Sequence, residues 1–190
     1  MSIQNGVRLT DNLLLGRGAH RACYSHPGNL NLCIKIVYNK SDGGVKELRR
    51  ELRFYKDMER RLTDWSSITR YYGKVNTNLG MGYVFDRIIN KDGTPSTTLE
   101  SYLKIKEDLR EIDGVLFNLY GYIKKNKIPT MTIKAQNILC QMDDNSIKRL
   151  VIVDNLGDST FISFSKFSNR IFNKRLDKKW DKFMRSIGIC

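Results

Sequence analysis

Apolar and polar positions alternate in short runs through the first half of the chain, and turn-forming residues bound each run. Leu13-Leu14-Leu15 leads into Gly16-Arg17-Gly18, and a second run begins near Ala22. After the Asn29-Leu30-Asn31 turn comes a third, Leu32-Cys33-Ile34-Lys35-Ile36-Val37-Tyr38. Two more, Arg70–Val75 and Met81–Asp86, are joined by Asn76-Thr77-Asn78-Leu79-Gly80. Runs of this length between Gly and Asn clusters predict five strands. Between the third and fourth the period changes. Ser41-Asp42-Gly43-Gly44 reads as a loop, after which Val45, Leu48, Leu52, Tyr55 and Leu62 recur at helical spacing. Lys46, Arg49, Arg50, Arg53, Lys56 and Arg60 occupy the other face of that helix.

From Asn90 to Ser96 the composition turns to Gly, Pro and Asp, which marks a boundary. One helix is predicted around Leu99–Lys106. A second, from about Leu109 to Lys125, has Leu109, Ile112, Leu116, Leu119, Tyr120 and Ile123 on one side and is stopped by Pro129. Apolar strands follow Asn137 and fill Leu150–Val153. In the tail, Asn169–Ile187, a stripe of Ile171, Phe172, Leu176, Trp180 and Phe183 is surrounded by lysines and arginines. Such a helix either docks its aromatic stripe on a core or lies on an anionic membrane surface. The pattern predicts an α+β chain with a five-stranded antiparallel unit at residues 1–89. A mainly helical unit follows at 90–190.

Composition narrows this only where it bears on partners. Hydrophobic residues make up 41% of the 190, enough for a core, and apolar runs stop at four or five residues, too short to span a bilayer. Met1-Ser-Ile-Gln-Asn-Gly-Val-Arg8 lacks the charged-then-apolar layout of a secretory signal. Cys23, Cys33, Cys140 and Cys190 are scattered without a C-x-x-C pair, which reads as buried thiols in a reducing compartment. The expected location is the cytoplasm, with peripheral contact at the inner membrane surface through the tail helix. A net charge of +13 calls for an anionic partner: a nucleotide, a nucleic acid, a phosphorylated glycan or an acidic membrane. Charge alone does not choose among them.

The candidate chemistry centres on Thr130-Met131-Thr132-Ile133-Lys134-Ala135-Gln136-Asn137-Ile138-Leu139 and on Asp154-Asn155-Leu156-Gly157. Asn137 and Asp154 offer hard oxygen ligands that suit magnesium, and Lys134 offers a point charge for a phosphate chain. Gly16 and Gly18 allow backbone N–H groups to approach phosphate oxygens, or simply form a hairpin turn. His20 and Arg21 either add charge to such a site or are solvated. Lys35, between two isoleucines, needs an anion if its strand is buried and none if the strand is an edge. On the helix, Glu51 falls about 50° from the apolar centre and Glu47 about 90°, so Glu51 is the acid better placed to turn inward toward Lys35.

Taken together, Gly16-x-Gly18, Ile34-Lys35, Glu51, Lys134-x-x-Asn137 and Asp154-x-x-Gly157 resemble the nucleotide site of the protein-kinase superfamily in order and placement. Nearly the whole chain is similar to a small bacterial family, the PhoP regulatory network protein YrbL. That similarity rests on Cys33–Tyr38, Asp42-Gly43-Gly44, Arg49-Arg50-Glu51-Leu52, Thr130-Met131, Gln136–Cys140 and Asp154-Asn155. It implies a two-lobed kinase-like fold with a shortened large lobe, and a place in a magnesium- and envelope-stress regulon. It implies ATP and Mg2+ as cofactors: Lys35 on the α- and β-phosphates, positioned by Glu51; Asn137 and Asp154 on the metal; Lys134 on the transferred phosphoryl group. Asp86-Arg87-Ile88-Ile89 would be the hinge, with Asp86 and Ile88 reading the adenine edge, and Arg21 stands where kinases have a third glycine.

Two departures shape the function. Thr132 stands where kinases place the catalytic aspartate, a group whose loss costs ~10²–10⁴ in rate. Asp158 is a candidate substitute, weighed against an exposed loop acid. Only 33 residues follow Gly157, without an Ala-Pro-Glu motif, so a small-molecule, glycan or lipid acceptor fits better than a protein. Three functions remain open: a slow Mg-ATP phosphotransferase on a non-protein anionic acceptor, a pseudokinase acting as a nucleotide-dependent regulator or scaffold, and a basic protein binding nucleic acid or membrane surfaces.

Overall fold

The computed structural model describes residues 6–39, 42–105, 110–157 and 168–189. Contacts along the chain divide it into two units, Met1–Arg49 with Thr69–Arg87, and Arg50–Ile68 with Ile88–Cys190. Compared with a division at residues 89 and 90, the segment Arg50–Ile68 groups with the second unit.

The first unit is a five-stranded antiparallel sheet in the order β1-β2-β3-β5-β4. Its strands are β1 (Leu14–Arg17), β2 (Arg21–His26), β3 (Asn29–Val37), β4 (Tyr71–Thr77) and β5 (Gly80–Asp86). All five predicted strands are present. Register sets Ala22 against Ile36 and Tyr24 against Ile34, so these four residues share one face. They form a buried core with Leu9, onto which Val7, Leu13, Val75 and Val84 pack. Cys33, Lys35 and Phe85 alternate to the opposite face. At Gly82 an added Cβ would run into Ile34, so the sheet core itself requires that glycine.

Helix α1 (Asp42–Arg61) starts earlier than its apolar period suggests, because Gly43 and Gly44 are helical. The reason is tertiary. Both glycines lie under the His20 side chain, and a Cβ on Gly44 would collide with the Asn39 carbonyl oxygen. Backbone crowding that only glycine tolerates thus stands where local composition reads as a loop.

Among the described residues the second unit contains the C-terminal part of α1, three further α-helices and a small sheet. The helices are α2 (Leu99–Ile105), α3 (Arg110–Lys125) and α4 (Asn169–Ser186). The sheet, ordered β6-β7-β8, consists of Thr97–Thr98, Ile138–Asp143 and Ser146–Ile152. From Glu51 onward α1 buries Glu51, Phe54, Tyr55 and Met58, and Leu62, just past its end, continues the same line. Tyr55 stacks on Trp65, with ring centroids 6.4 Å apart. Arg61 donates to the carbonyl oxygens of Asn126 and Lys127 at 2.7 and 3.1 Å, satisfying acceptors at the end of α3. On α3 the buried positions are Ile112, Leu116, Leu119, Tyr122 and Ile123.

Helix α4 opens with Ser168 as its cap, the serine hydroxyl accepting from the Ile171 amide. Phe172, Leu176 and Phe183 are buried, and Trp180 packs on Tyr120 of α3 with centroids 5.2 Å apart. The aromatic stripe of the tail is therefore spent on packing within this unit, apart from the exposed Ile171. No helix among the described residues is long and apolar enough to cross a membrane.

Candidate functional site

In the first unit Gly16 lies within β1, paired with Cys23, and Gly18 in the β1–β2 connection. The Gly18 amide donates to the Arg21 carbonyl at 2.8 Å, and the Gly18 carbonyl accepts from the Tyr38 hydroxyl. Arg17 lies over the Tyr38 ring, 5.2 Å from its centroid. Elsewhere in the sheet the chain uses glycine for a left-handed backbone, at Gly73 (φ 117°) and Gly80 (φ 104°). Gly16 and Gly18 have no such need. An added Cβ at Gly16 meets nothing within 4 Å, and at Gly18 only the Arg21 carbonyl oxygen at 3.8 Å. The fold makes no internal demand for glycine at either position. Arg21 is engaged with the start of α1, its Nη2 3.9 Å from Glu47 Oε2. Glu47 thus works as a partner for Arg21.

Lys35 sits on β3, which lies between β2 and β5 and is not an edge. Its neighbours in register are Cys23 and Tyr83, it is 9% exposed, and its Nζ stands 4.4 Å from the centroid of the Phe85 ring. The edge-strand alternative is excluded. An ammonium this buried is held by its surroundings, and the Phe85 ring face contributes an attraction. Nearby, the hydrogen bond with Cys23, and then burial, push the Cys33 thiol well above the ordinary thiol range. Cys33 and Cys140 are buried and Cys23 half-buried, all as free thiols, while Cys190 lies outside the described residues.

Asp86, at the end of β5, engages its carboxylate and its amide inside the first unit. Its carboxylate accepts from the Arg70 amide at 2.7 Å and the Tyr72 hydroxyl at 2.8 Å, and its own amide donates to the Arg70 carbonyl at 3.1 Å. Ile88, in the second unit, is buried, and its carbonyl accepts from the Ser96 amide at 3.2 Å.

The second unit brings the segments around Pro129–Met131 and Asn155–Gly157 together through backbone pairing. Thr130 forms an antiparallel bridge with Leu156. The Met131 amide donates to the Asn155 carbonyl at 3.0 Å, and the Gly157 amide to the Pro129 carbonyl at 2.8 Å. Where β7 begins and β8 ends, the Val153 amide donates to the Asn137 carbonyl at 2.9 Å. Asn137 therefore stands directly across from Val153, and Asp154 is the next residue. Both side chains are half-buried; Thr132 and Lys134 are exposed. Asp154 Oδ1 accepts from the Asn155 amide at 2.7 Å. Gly157 adopts φ 93°, and a Cβ there would press on Arg50 and Phe54 of α1, so the loop and helix are fitted to a glycine. Asp158 lies outside the described residues.

Asn155 is the residue the sequence did not reveal. It holds a left-handed φ of 61°, which asparagine tolerates, and its Nδ2 donates to Thr132 Oγ1 at 3.3 Å. The threonine at the aspartate position is thus tied to the loop that carries Asp154. Glu51, on α1, is 2% exposed and has interaction partners, as a buried carboxylate must.

Among the described residues, no three His, Cys, Asp or Glu side chains group to hold a metal ion. An all-protein cage is not what magnesium needs, however. It commonly takes one or two protein oxygens together with substrate phosphates and water. Asn137, paired through its carbonyl with Val153, and Asp154, the residue after Val153, carry oxygens of that kind, so the donor types fit Mg2+.

Comparison with known proteins agrees with this architecture. The chain is 16% identical to Rad53 in a crystal structure of its residues 1–466 with AMP-PNP, with a TM-score of 0.59 over 92% of this chain and 44% of that one. It also matches a chain of the CAK complex of Chaetomium thermophilum bound to ATP-gamma-S, with a TM-score of 0.56, 18% identity, and 80% and 48% coverage. It spans less than half of each of these solved chains, and at such identities the likeness establishes the fold. The YrbL proteins of Escherichia coli (strain K12) and Shigella flexneri are each 42% identical over 187 residues, covering 97% of this chain and 89% of theirs. Residues 7–188 match the family model of the PhoP regulatory network protein YrbL. On a protein-kinase-like fold with a five-stranded first unit and a compact helical second one, this chain belongs to the PhoP regulatory network protein YrbL family.

Proposed function

We propose that the chain binds Mg-ATP and transfers phosphoryl groups slowly to a non-protein anionic acceptor, within the PhoP network of its family. The observation that supports this reading is the Val153–Asn137 backbone hydrogen bond at 2.9 Å, which pairs Asn137 with the residue preceding Asp154. In this reading Asn137 and Asp154 hold magnesium, which neutralises phosphate charge when bound. Lys35, with Glu51 positioning it, takes the inner phosphates, and Gly16 and Gly18, with no side chain, leave room for phosphate to approach the backbone. Arg21, Asp86 and Ile88 complete the nucleotide set, and Lys134 faces the phosphoryl group in transfer. In this reading the protein acts in the cytoplasm.

The acceptor's charge follows from Thr132. In transfer, an acceptor oxygen bonds to the γ-phosphorus, the bond to the β–γ bridging oxygen breaks, and ADP leaves with that electron pair. A neutral hydroxyl acceptor must also lose its proton to a base, and a threonine hydroxyl already tied to Asn155 is a poor one. A phosphate or carboxylate oxygen arrives deprotonated and needs no base. A shortage of catalytic acids thus matches an anionic acceptor, and the basic balance of the chain attracts one. The same Thr132–Asn155 bond favours a second reading, in which nucleotide binding is retained for regulation or scaffolding without turnover.

Thermal denaturation with and without Mg-ATP tests the binding. At a hundredfold excess over Kd, bound nucleotide stabilises by about 2.7 kcal/mol. Lys35→Ala and Asp154→Ala are each expected to remove that shift; if either retains it in full, its assignment is wrong. Gly16→Ala is the sharper variant. Lacking any internal clash, it should leave the ligand-free protein as stable or about 0.4–1 kcal/mol more stable, while weakening the nucleotide shift. Release of γ-phosphate that disappears in Asp154→Asn supports the transferase. A full nucleotide shift without turnover establishes the pseudokinase.

A further inference from the structure

The second unit has a cavity of about 310 Å³ formed by the loop after α1, the C-terminal half of α3 and the start of β8. Three cationic side chains line it, Lys125, Lys148 and Arg149, against one carboxylate, Asp64. Ser66, Ser67, Asn118 and Asn126 supply neutral donors and acceptors, and Val115, Leu119 and Leu150 the apolar floor. Its volume is at the lower end of the range for small-molecule sites, roughly 300–1,000 Å³, and an apolar floor with a few convergent polar groups is their usual composition.

The walls are fixed. The Tyr122 hydroxyl donates to the Asp64 carbonyl at 2.6 Å, the Ser66 amide to Asp64 Oδ1 at 2.8 Å, and Asn126 Nδ2 to the Tyr122 carbonyl at 3.1 Å. On β8, Arg149 Nε donates to Gln141 Oε1 at 2.6 Å, and the amide of Gln141 is itself anchored on the Ile89 carbonyl. This bond orients the guanidinium through its inner nitrogen. The hydrogen bonds from Ser66 hold the Asp64 carboxyl below the usual carboxylate range, and Lys125 and Arg149 act in the same direction. The cavity therefore sets one carboxylate against three basic side chains.

We infer that this cavity is a second ligand site, for a small organic phosphate that carries hydroxyl groups, such as a sugar phosphate. Cations in excess take the phosphate. The carboxylate repels a bare polyanion but accepts a hydrogen bond from a ligand hydroxyl, and the two serines and two asparagines extend that pattern. The site is separate from the nucleotide chemistry. Arg149 lies five residues before Asp154, roughly 16 Å along an extended strand.

Calorimetric titration with glucose 6-phosphate, glucose and orthophosphate tests the inference on the full chain. Glucose 6-phosphate should bind with one site per chain, glucose should not bind at the same concentrations, and orthophosphate should bind at least tenfold more weakly than the sugar phosphate. The paired substitution Lys125→Glu with Lys148→Glu, at two exposed positions, should weaken glucose 6-phosphate at least tenfold and leave the Mg-ATP thermal shift unchanged. Lys125→Gln with Lys148→Gln serves as the milder pair and should weaken it severalfold. Absence of binding overturns the inference, as does binding that survives both pairs. Orthophosphate binding as tightly as the sugar phosphate removes the role of the hydroxyls. Binding lost in Asp154→Ala but kept in the lysine pairs would move the ligand to the nucleotide site. Failure of Mg-ATP to bind at all would refute the kinase-like function and leave this site intact.

Discussion

Helices α1 and α4 look alike in the sequence and differ in what they bury. Each is long and basic, at 20 and 18 residues, with one apolar stripe among lysines and arginines. Helix α4 buries Phe172, Leu176 and Phe183, and its polar contacts sit around that stripe: Asp177 accepts from the Tyr120 hydroxyl, and Lys179 donates to the Thr130 carbonyl. Helix α1 buries Phe54, Tyr55 and Met58 and, in line with them, the carboxylate-bearing Glu51. Burying an apolar side chain stabilises without further conditions, whereas burying a carboxylate costs several kcal/mol unless cations and donors meet it. A fold keeps such a group where something engages it. The comparison separates a helix whose buried line is apolar from one whose buried line also carries a carboxylate, although periodicity describes both equally well.

The largest expected effect breaks α1. Glu51→Ala leaves the groups that meet the carboxylate buried and uncompensated, which costs about 3–5 kcal/mol. It should also remove the stabilisation by Mg-ATP, as Lys35→Ala does. Leu176→Ala in α4 comes next. It deletes buried methyl groups and should cost about 2–5 kcal/mol, depending on how far the site collapses. The nucleotide shift should survive it. Urea denaturation of each variant, repeated with Mg-ATP, gives both quantities. A nucleotide shift that persists in Glu51→Ala, or one that vanishes in a folded Leu176→Ala, would erase the distinction between the helices.

Much of this division was legible in the chain, and the remainder was hidden for identifiable reasons. The five strands are visible because each is a short run between turn residues. Glu51 could be chosen over Glu47 from the helical angle alone, although the buried line runs through Phe54 and Met58 and places Glu51 nearer its centre than the apolar period of Leu48 and Leu52 suggests. Lys35 stood out because an ammonium between two isoleucines demands an explanation. The first turn of α1 was hidden, since Gly43 and Gly44 are helical through contact with His20, more than twenty residues earlier. The Thr132–Asn155 bond was hidden as well, because it spans 23 positions and depends on a left-handed asparagine. The cavity beside Arg149 draws on three segments, none of which carries a motif, and only folding brings them together. Local pattern reveals elements and single anomalous residues; long-range pairing decides which of those residues meet.

The smallest effect tests whether the polar contact on α4 is as peripheral as its place suggests. Tyr120 donates to Asp177 Oδ1 at 2.6 Å and accepts from Lys124 Nζ at 3.3 Å. Replacing its hydroxyl, in Tyr120→Phe, should cost about 0.5–1.5 kcal/mol, the net value of one hydrogen bond, and no nucleotide affinity. The pH dependence provides a second readout. The hydrogen bond to Asp177, and then burial, raise the Tyr120 hydroxyl above its ordinary value of 10.0, while Lys124 acts in the opposite direction. A group whose folded pKa exceeds its unfolded one contributes stability fully below the unfolded value and loses it as pH rises through the folded value. Wild-type stability should therefore decline above pH 10, and Tyr120→Phe should flatten that decline. If the variant follows the wild-type alkaline limb while losing several kcal/mol at neutral pH, the Tyr120–Asp177 contact is a structural keystone and α4 depends on a polar group as much as α1 does. If it loses about 1 kcal/mol and the limb flattens, α4 is held by its three buried apolar side chains, and the buried carboxylate remains the mark that distinguishes α1.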